Sequence, residues 1–84
     1  MKNRKEFIFN IVKVIFEVEK SSTTILRIAI INWGVNKTNF IDVRKWWKKD
    51  KKDKEYFPGK GISLSFEDAQ IVLQNLQKAI EVYD

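Results

Sequence analysis

The sequence predicts an α+β fold in which a four-stranded antiparallel sheet is followed by one C-terminal helix, in the order ββββα. Three observations predict this fold. Apolar and polar side chains alternate through the first half of the chain, which is the periodicity of β-strands. Short segments rich in Ser, Thr, Asn and Gly separate these stretches and favour an antiparallel meander. The C-terminal part instead repeats apolar side chains at three- and four-residue steps, as an amphipathic helix does.

Three strands are predicted in the first half of the chain, over residues 7–19, 24–33 and 40–47. Residues 21–23 are predicted to form the first turn and residues 34–39 the second, because Ser, Gly and Asn are favoured in turns. The parity predicted to face the core contains Ile8, Val12, Val14, Phe16 and Val18 in the first strand, Leu26, Ile28 and Ile30 in the second, and Ile41, Val43 and Trp47 in the third.

The second half of the chain begins with a charged segment. Residues 48–55 carry no apolar side chain and are predicted to form a solvated loop. Pro58-Gly59 predicts a turn, and residues 61–64 predict a short fourth strand. Ser65 is a suitable N-cap, and acidic residues follow it in the first turn, where the helix dipole favours them. The helix that follows has an apolar stripe wide enough to cover one face of the sheet.

The second face of the predicted sheet is also apolar, with Phe9, Ile11 and Ile25 among its residues. One helix covers only one face, so the other face is too apolar for water unless a second protein covers it. A chain of 84 residues buries a limited share of its surface, and without cysteine it has no disulfide to compensate. We therefore expect one domain, residues 1–84, that forms a homodimer. Residues 1–6 either order on binding or remain a loose tail.

The composition argues against catalysis. The chain has no histidine and no cysteine, which removes the commonest general base and the commonest metal ligands. It has no glycine-rich phosphate loop and no Gly-x-Ser-x-Gly elbow. We expect a protein that is not an enzyme and uses no cofactor, metal or small-molecule substrate. Polar side chains interrupt the apolar run of residues 7–18, which is too short to span a bilayer, so we expect a cytoplasmic protein without membrane partners.

Positive charge and aromatic side chains coincide in the middle of the chain. Residues 37–60 contain nine Lys or Arg against four Asp or Glu, whereas residues 61–84 contain one against four. A localised basic zone is typical of proteins that bind polyanions. Bases of a single strand stack on aromatic rings while cations neutralise the phosphates, and a duplex hides its base faces. The candidate nucleic-acid contacts are Arg27, Trp33, Lys37, Arg44, Lys45, Trp46, Trp47, Phe57 and Lys60.

Several of these candidates also have a purely structural interpretation. Trp47 shares its parity with the predicted core, and Trp46 lies on the opposite face, so either one is a core residue or a binding residue. Trp33 stands at a strand end beside a glycine, which favours binding. Phe57 either stacks with a base or packs against the edge of the sheet. Lys60 lies between two glycines, and this favours a backbone that approaches a ligand closely.

Two segments resemble the Positive Cofactor Four family, which comprises the C-terminal domain of a eukaryotic transcriptional coactivator and its short bacterial and phage relatives. They are residues 40–47, FIDVRKWW, and residues 58–65, PGKGISLS, and an amphipathic helix follows them. The resemblance covers residues 24–80. It implies a homodimer whose strands form a curved, basic channel for single-stranded DNA, with little sequence preference. In a bacterium it implies association with the nucleoid.

The resemblance also implies roles for particular residues. The family's basic residue before Pro-Gly is replaced here by Phe57, so a stacking contact would replace a phosphate contact. The turn that contains Lys37 is longer here than in the family. Four residues match positions of the family. Trp33 matches its aromatic residue after the second strand, and Lys60 matches the lysine of the second motif. Arg44 and Trp47 match the arginine and the tryptophan of the first motif.

The sequence therefore predicts a single-stranded DNA-binding homodimer that acts in transcription, replication or repair. Two alternatives remain open. An RNA-binding domain would use the same surface, because exposed aromatic rings on a sheet stack either nucleic acid. A protein–protein adaptor would use the aromatic residues as interface anchors.

Overall fold

The computed structural model of the chain describes residues 9–34 and 38–83. The strands form one antiparallel sheet in the order β1-β2-β3-β4, and a helix follows the last strand. The predicted ββββα fold is therefore confirmed. The elements are β1 Phe9–Ser21, β2 Thr24–Trp33, β3 Asn39–Trp47, β4 Phe57–Leu64 and α1 Phe66–Tyr83.

The ends that the structure describes for the first three strands lie within two residues of the prediction, whereas β4 begins four residues earlier than predicted. Strand β2 begins and ends where the sequence predicts, and β1 continues to Ser21. The first residues of the predicted β1, residues 7 and 8, lie outside the described residues. Pro58-Gly59 was predicted as a turn, and this prediction is wrong because both residues lie inside β4. Proline is tolerated there because β4 is an edge strand, where a missing N–H breaks no ladder on the open side.

The sheet curls around one of its faces, which we call the inner face. Phe9 pairs with Trp33 at one end of the sheet, yet its ring centroid lies 6.0 Å from that of Trp46. Trp46 pairs with Ile25, eight residues along β2 from Trp33, so a flat sheet would separate the two sites by about 26 Å. Strong curvature therefore encloses the core, whose buried apolar residues are Phe9, Ile25, Ala29, Ile31 and Trp46.

Irregular pairing in β1 accompanies this curvature. The register with β2 shifts between Ile11 and Lys13 and again between Val14 and Phe16. Each shift adds an unpaired residue, and such bulges bend a strand and increase its local twist. The shifts also interrupt the simple alternation of β1, because Val14 is the partner of Ala29 on the inner face.

The opposite, outer face is the one that the sequence predicted to be the core. It includes Phe16, Leu26, Val43 and Ile62, and its side chains are partly or largely exposed. The prediction is wrong for the single chain because the curvature of the sheet buries the inner face, while α1 does not cover the outer one. None of the described side chains of α1 is buried, and its main contacts with the sheet are to β3 and β4.

The helix begins where the sequence predicts. The hydroxyl oxygen of Ser65 accepts a hydrogen bond from the backbone N–H of Asp68 at 3.1 Å, which confirms Ser65 as the N-cap. The apolar stripe of α1 remains open to solvent, and Leu73 on this stripe is 67% exposed. Within residues 9–34 and 38–83, no helix is long and apolar enough to cross a membrane.

Candidate nucleic-acid interface

Two exposed aromatic rings lie side by side where the charged loop joins the sheet. Trp47 ends β3, Phe57 begins β4, and the two residues are register partners. Their ring centroids are 5.4 Å apart, with an angle of 42° between the ring planes. Trp47 is 45% exposed and Phe57 is 44% exposed. The pair therefore presents two neighbouring aromatic rings to solvent, and Trp47 is not a core residue.

Two lysines follow this aromatic pair along β3 and β4, opposite each other in the sheet. Lys45 lies on the same face of β3 as the exposed tryptophan, and Lys60 lies in the adjacent part of β4; both are exposed. Neither has an ion-pair partner within the part of the chain that the structure describes. The ammonium group of Lys48 lies 4.9 Å from the centroid of the Tyr56 ring, a cation–π contact that holds a third positive charge nearby.

A cleft of about 410 Å³ adjoins Phe57, and its other lining residues are Asp53, Lys54 and Glu55. The loop that forms its wall contains a hydrogen-bonded turn. The backbone N–H of Asp53 donates to the carbonyl oxygen of Asp50 at 2.9 Å, and the Asp53 carboxylate accepts the N–H of Asp50 at 3.2 Å. The cleft thus combines one aromatic wall with polar groups at its rim.

Arg44 points to the inner face of β3 and is engaged within the chain. Its Nε donates to both carboxylate oxygens of Asp42, at 3.1 and 2.9 Å, and its Nη2 donates to Oδ1 at 2.8 Å. Its Nη1 donates to the carbonyl oxygen of Gly59 at 2.9 Å. Asp42 is 1% exposed and also accepts the hydroxyl of Ser63 at 2.8 Å. The buried carboxylate is therefore compensated by charge and by hydrogen bonds.

The glycines around Lys60 allow β4 to approach β3 closely. A Cβ atom at Gly61 would overlap the Cβ and Cα atoms of Arg44. A Cβ atom at Gly59 would lie 2.9 Å from the carbonyl oxygen of Lys45 and 3.3 Å from Cδ1 of Trp47. The sequence pattern suggested that these glycines let a ligand approach the backbone. The structure explains them instead by the close packing of β4 against β3. The register of β4 shifts at this point, between the partners of Arg44 and Trp46.

Trp46 and Arg27 pack against each other on the inner face. Trp46 is 8% exposed, and the guanidinium carbon of Arg27 lies 4.4 Å from its ring centroid. Nε of Arg27 donates to a carboxylate oxygen of Glu17 at 2.7 Å. Among the two interpretations that the sequence left open, the structure places Trp46 in the core. Its buried Nε1 has no hydrogen-bond partner in the described chain.

The structure divides the predicted contact residues into separate groups. Trp33 also belongs to the inner face, where it is partly buried; its ring centroid lies 5.3 Å from that of Phe9, which in turn lies 6.0 Å from that of Trp46. Lys37 lies outside the described residues. Arg27, Arg44 and Trp46 belong to the inner face. The residues that the structure brings together on one exposed surface are Lys45, Trp47, Phe57 and Lys60.

Sequence reasoning missed the residues that support this surface. Asp42 and Ser63 were not singled out, although Asp42 shares a parity with Arg44, and such a pair two residues apart on one strand face can form an ion pair. The cleft beside Phe57 was missed because residues 48–55 were interpreted only as a solvated loop. In the described parts of the chain, no group of acidic residues is arranged to hold a metal ion.

Comparison with known protein families gives a match over most of the chain. A family model described as Transcriptional Coactivator p15 (PC4) matches residues 20–75, which is more than half of the 84-residue chain. The matched region runs from the end of β1 into α1 and includes every residue of the exposed surface. A search of curated proteins returned no significant match, and a search of solved structures returned none.

Proposed function

The chain belongs to the Transcriptional Coactivator p15 (PC4) family, and from this membership we propose that it binds single-stranded DNA as a homodimer with little sequence preference. Nucleic-acid binding and a coactivator-like role in transcription are properties of the family. The single observation that carries the proposal is the exposed Trp47–Phe57 pair beside Lys45 and Lys60, which have no ion-pair partner among the described residues. We also propose that the protein acts on melted DNA in the cytoplasm, during transcription, replication or repair.

The geometry of the pair favours a single strand over a duplex. Stacking requires access to the flat face of a base, which paired DNA hides within its own stack, and each stacked base contributes about 1–3 kcal/mol. Trp47 and Phe57 offer two neighbouring rings, so consecutive bases of one strand can stack on them. The cleft beside Phe57 has room for a splayed base. Phosphates between stacked bases would then lie near Lys45 and Lys60.

The proposed contacts differ in how much support they have. Trp47, Phe57, Lys45 and Lys60 are exposed, close together and without competing ion pairs among the described residues. Direct contact by Trp33 and Lys37 stays a prediction from the sequence. Direct contact by the inner-face residues also stays a prediction, with less support because their rings or donor groups have partners within the chain; these residues are Arg27, Arg44 and Trp46.

The homodimer is supported by the apolar surface that one chain leaves open. The outer face of the sheet exposes Phe16 and Ile62, and α1 exposes Leu73, Leu76 and Ile80 along one stripe. Large apolar side chains exposed along one stripe are unfavourable in water and usually mark an interface. A second copy offers the same two surfaces, so the helix of each chain can cover the sheet or helix of the other in a closed, two-fold arrangement.

The proposal is tested by titrating the protein into a fluorescent mixed-sequence single strand, the matching duplex and the matching RNA at two salt concentrations. Tight, salt-sensitive binding to the DNA strand and much weaker binding to the duplex is the expected result. Equal weak binding to all three would contradict the proposal and favour a protein–protein adaptor. Tighter binding to RNA would assign the same surface to RNA.

A further inference from the structure

We propose that Arg44 is a positioning residue of the single-strand site, which holds the β4 bulge that presents Lys60 beside Trp47 and does not itself bind phosphate. This inference rests on the proposed function, because it assumes that Lys60 contacts the nucleic acid. The bulge is the segment Gly59-Lys60, which lies opposite Lys45 where the register of β4 shifts.

One hydrogen bond links Arg44 directly to the peptide that carries Lys60. Nη1 of Arg44 donates to the carbonyl oxygen of Gly59 at 2.9 Å. That carbonyl and the backbone N–H of Lys60 belong to the same planar peptide unit. The orientation of the carbonyl therefore fixes the direction in which the backbone enters Lys60, and with it the direction of the exposed lysine side chain.

The bulge is held from both faces of the sheet. On the outer face, the Cα of Gly59 lies against Lys45 and the ring of Trp47, so closely that a Cβ would be 3.3 Å from Cδ1 of the ring. On the inner face, Gly61 lies against Arg44 with no space for a side chain. Arg44 and Trp47 thus enclose the bulge between them, and a shift of Arg44 moves the lysine relative to the stacking ring.

The guanidinium group of Arg44 is poorly placed to bind phosphate. Its side chain is 16% exposed, and its Nε, Nη1 and Nη2 atoms all donate to groups of the chain. The carboxylate of Asp42, which is 1% exposed, depends on it for charge compensation. Moving the guanidinium to a phosphate would leave Asp42 buried and unpaired, which is strongly unfavourable. The positive charge of Arg44 therefore compensates the buried carboxylate of Asp42.

The test is a double-mutant cycle of Arg44→Lys and Lys60→Ala, read by the affinity for a single strand and by its salt dependence. Lysine keeps the charge beside Asp42 but lacks the planar fork that reaches Asp42 and Gly59 together. We expect Arg44→Lys to reduce the salt slope as Lys60→Ala does, by about 0.7. In the Lys60→Ala background, Arg44→Lys should change the affinity by less than about twofold.

Two results would overturn the inference: an unchanged salt slope in Arg44→Lys, or fold-changes of the two variants that simply multiply. Binding by the wild-type protein and by Lys78→Ala, which removes a lysine from α1, separates failure of the inference from failure of the proposed function. If Arg44→Lys does not fold, Ser63→Ala replaces it, since it removes only the hydroxyl bond to Asp42. A Ser63→Ala effect that multiplies with that of Lys60→Ala would contradict the inference equally.

Discussion

Trp46 and Trp47 are neighbours in the sequence and point to opposite faces of β3, so that the first is 8% exposed and the second is 45% exposed. The buried indole packs under the guanidinium of Arg27, and the exposed one packs beside Phe57. Two adjacent residues of the same type therefore have different roles, one in the core and one on the proposed binding surface. This difference makes the account testable by substitutions that are matched in chemistry.

Replacing either ring of the exposed pair should weaken binding to a single strand. We expect Trp47→Ala and Phe57→Ala each to cost about 1–3 kcal/mol of binding free energy, because each removes a stacking surface. Trp47→Phe keeps an aromatic face and serves as the control. Fluorescence anisotropy with a labelled strand measures the effect, and wild-type affinity in both alanine variants would show that bases stack elsewhere.

Removing either lysine beside the aromatic pair should reduce the dependence of binding on salt concentration. We expect Lys45→Ala and Lys60→Ala each to reduce the slope of log K against log salt by about 0.7, the loss of one single-strand phosphate contact. Lys78→Ala, on the helix, removes the same charge and should leave the slope unchanged. Equal slopes in all three variants would mean that these lysines act only through the net charge.

The two tryptophans of β3 should differ in their effect on stability. Trp46→Ala removes a buried ring and should lower the free energy of unfolding by about 3–5 kcal/mol. Trp47→Ala removes a half-exposed ring and should cost clearly less, although it loses the contact with Phe57. Urea denaturation followed by circular dichroism compares them. A larger loss for Trp47→Ala would reverse the assignment of core and surface.

The glycine that faces Arg44 should not tolerate a methyl group. A Cβ at Gly61 would overlap backbone and side-chain atoms of Arg44, and overpacking of this kind costs about 1–3 kcal/mol or more. Gly34 is the matched control, since a Cβ there meets nothing within 4 Å and its φ is not positive. We expect Gly34→Ala to be neutral or slightly stabilising. Equal melting temperatures for the two variants would contradict the close packing of β3 and β4.

If the protein is a homodimer, a charge introduced on the exposed apolar stripe of α1 should disrupt it. Leu73 is 67% exposed in the single chain, so Leu73→Glu should not disturb a monomer, whereas in a dimer it buries a charge at the interface. We expect light scattering to give twice the 10.0 kDa chain mass for the wild type and 10.0 kDa for the variant. Gln74→Glu, one position away on the polar side, should remain dimeric. A wild-type mass of 10.0 kDa at micromolar concentration would exclude the dimer.

Sequence reasoning predicted the elements well where local chemistry decides them. Strand β2 and the N-cap Ser65 are examples, because turn residues and a capping hydroxyl act within a few residues. It failed at Pro58, since tolerance of proline depends on β4 being at the sheet edge. It also chose the wrong core face. Alternation shows which side chains share a face, but curvature and the position of α1 decide which face is covered, and both are tertiary properties.

The candidate site was predicted in part for the same reason. The basic, aromatic composition of residues 37–60 located the region. Composition did not separate Trp46 from Trp47, and it gave no sign that Arg44 is engaged by Asp42 and Gly59. Those assignments depend on the register of β3 with β4. This register includes a bulge that the sequence pattern does not indicate.

The most direct test of the central claim is a ¹H–¹⁵N spectrum of the indole N–H groups during titration with a single strand. Each of the three tryptophans gives one indole signal, and Trp47→Phe assigns that of Trp47. We predict that the Trp47 signal shifts strongly on binding while the buried Trp46 signal moves little. An unmoved Trp47 signal at saturation would contradict the proposed stacking surface.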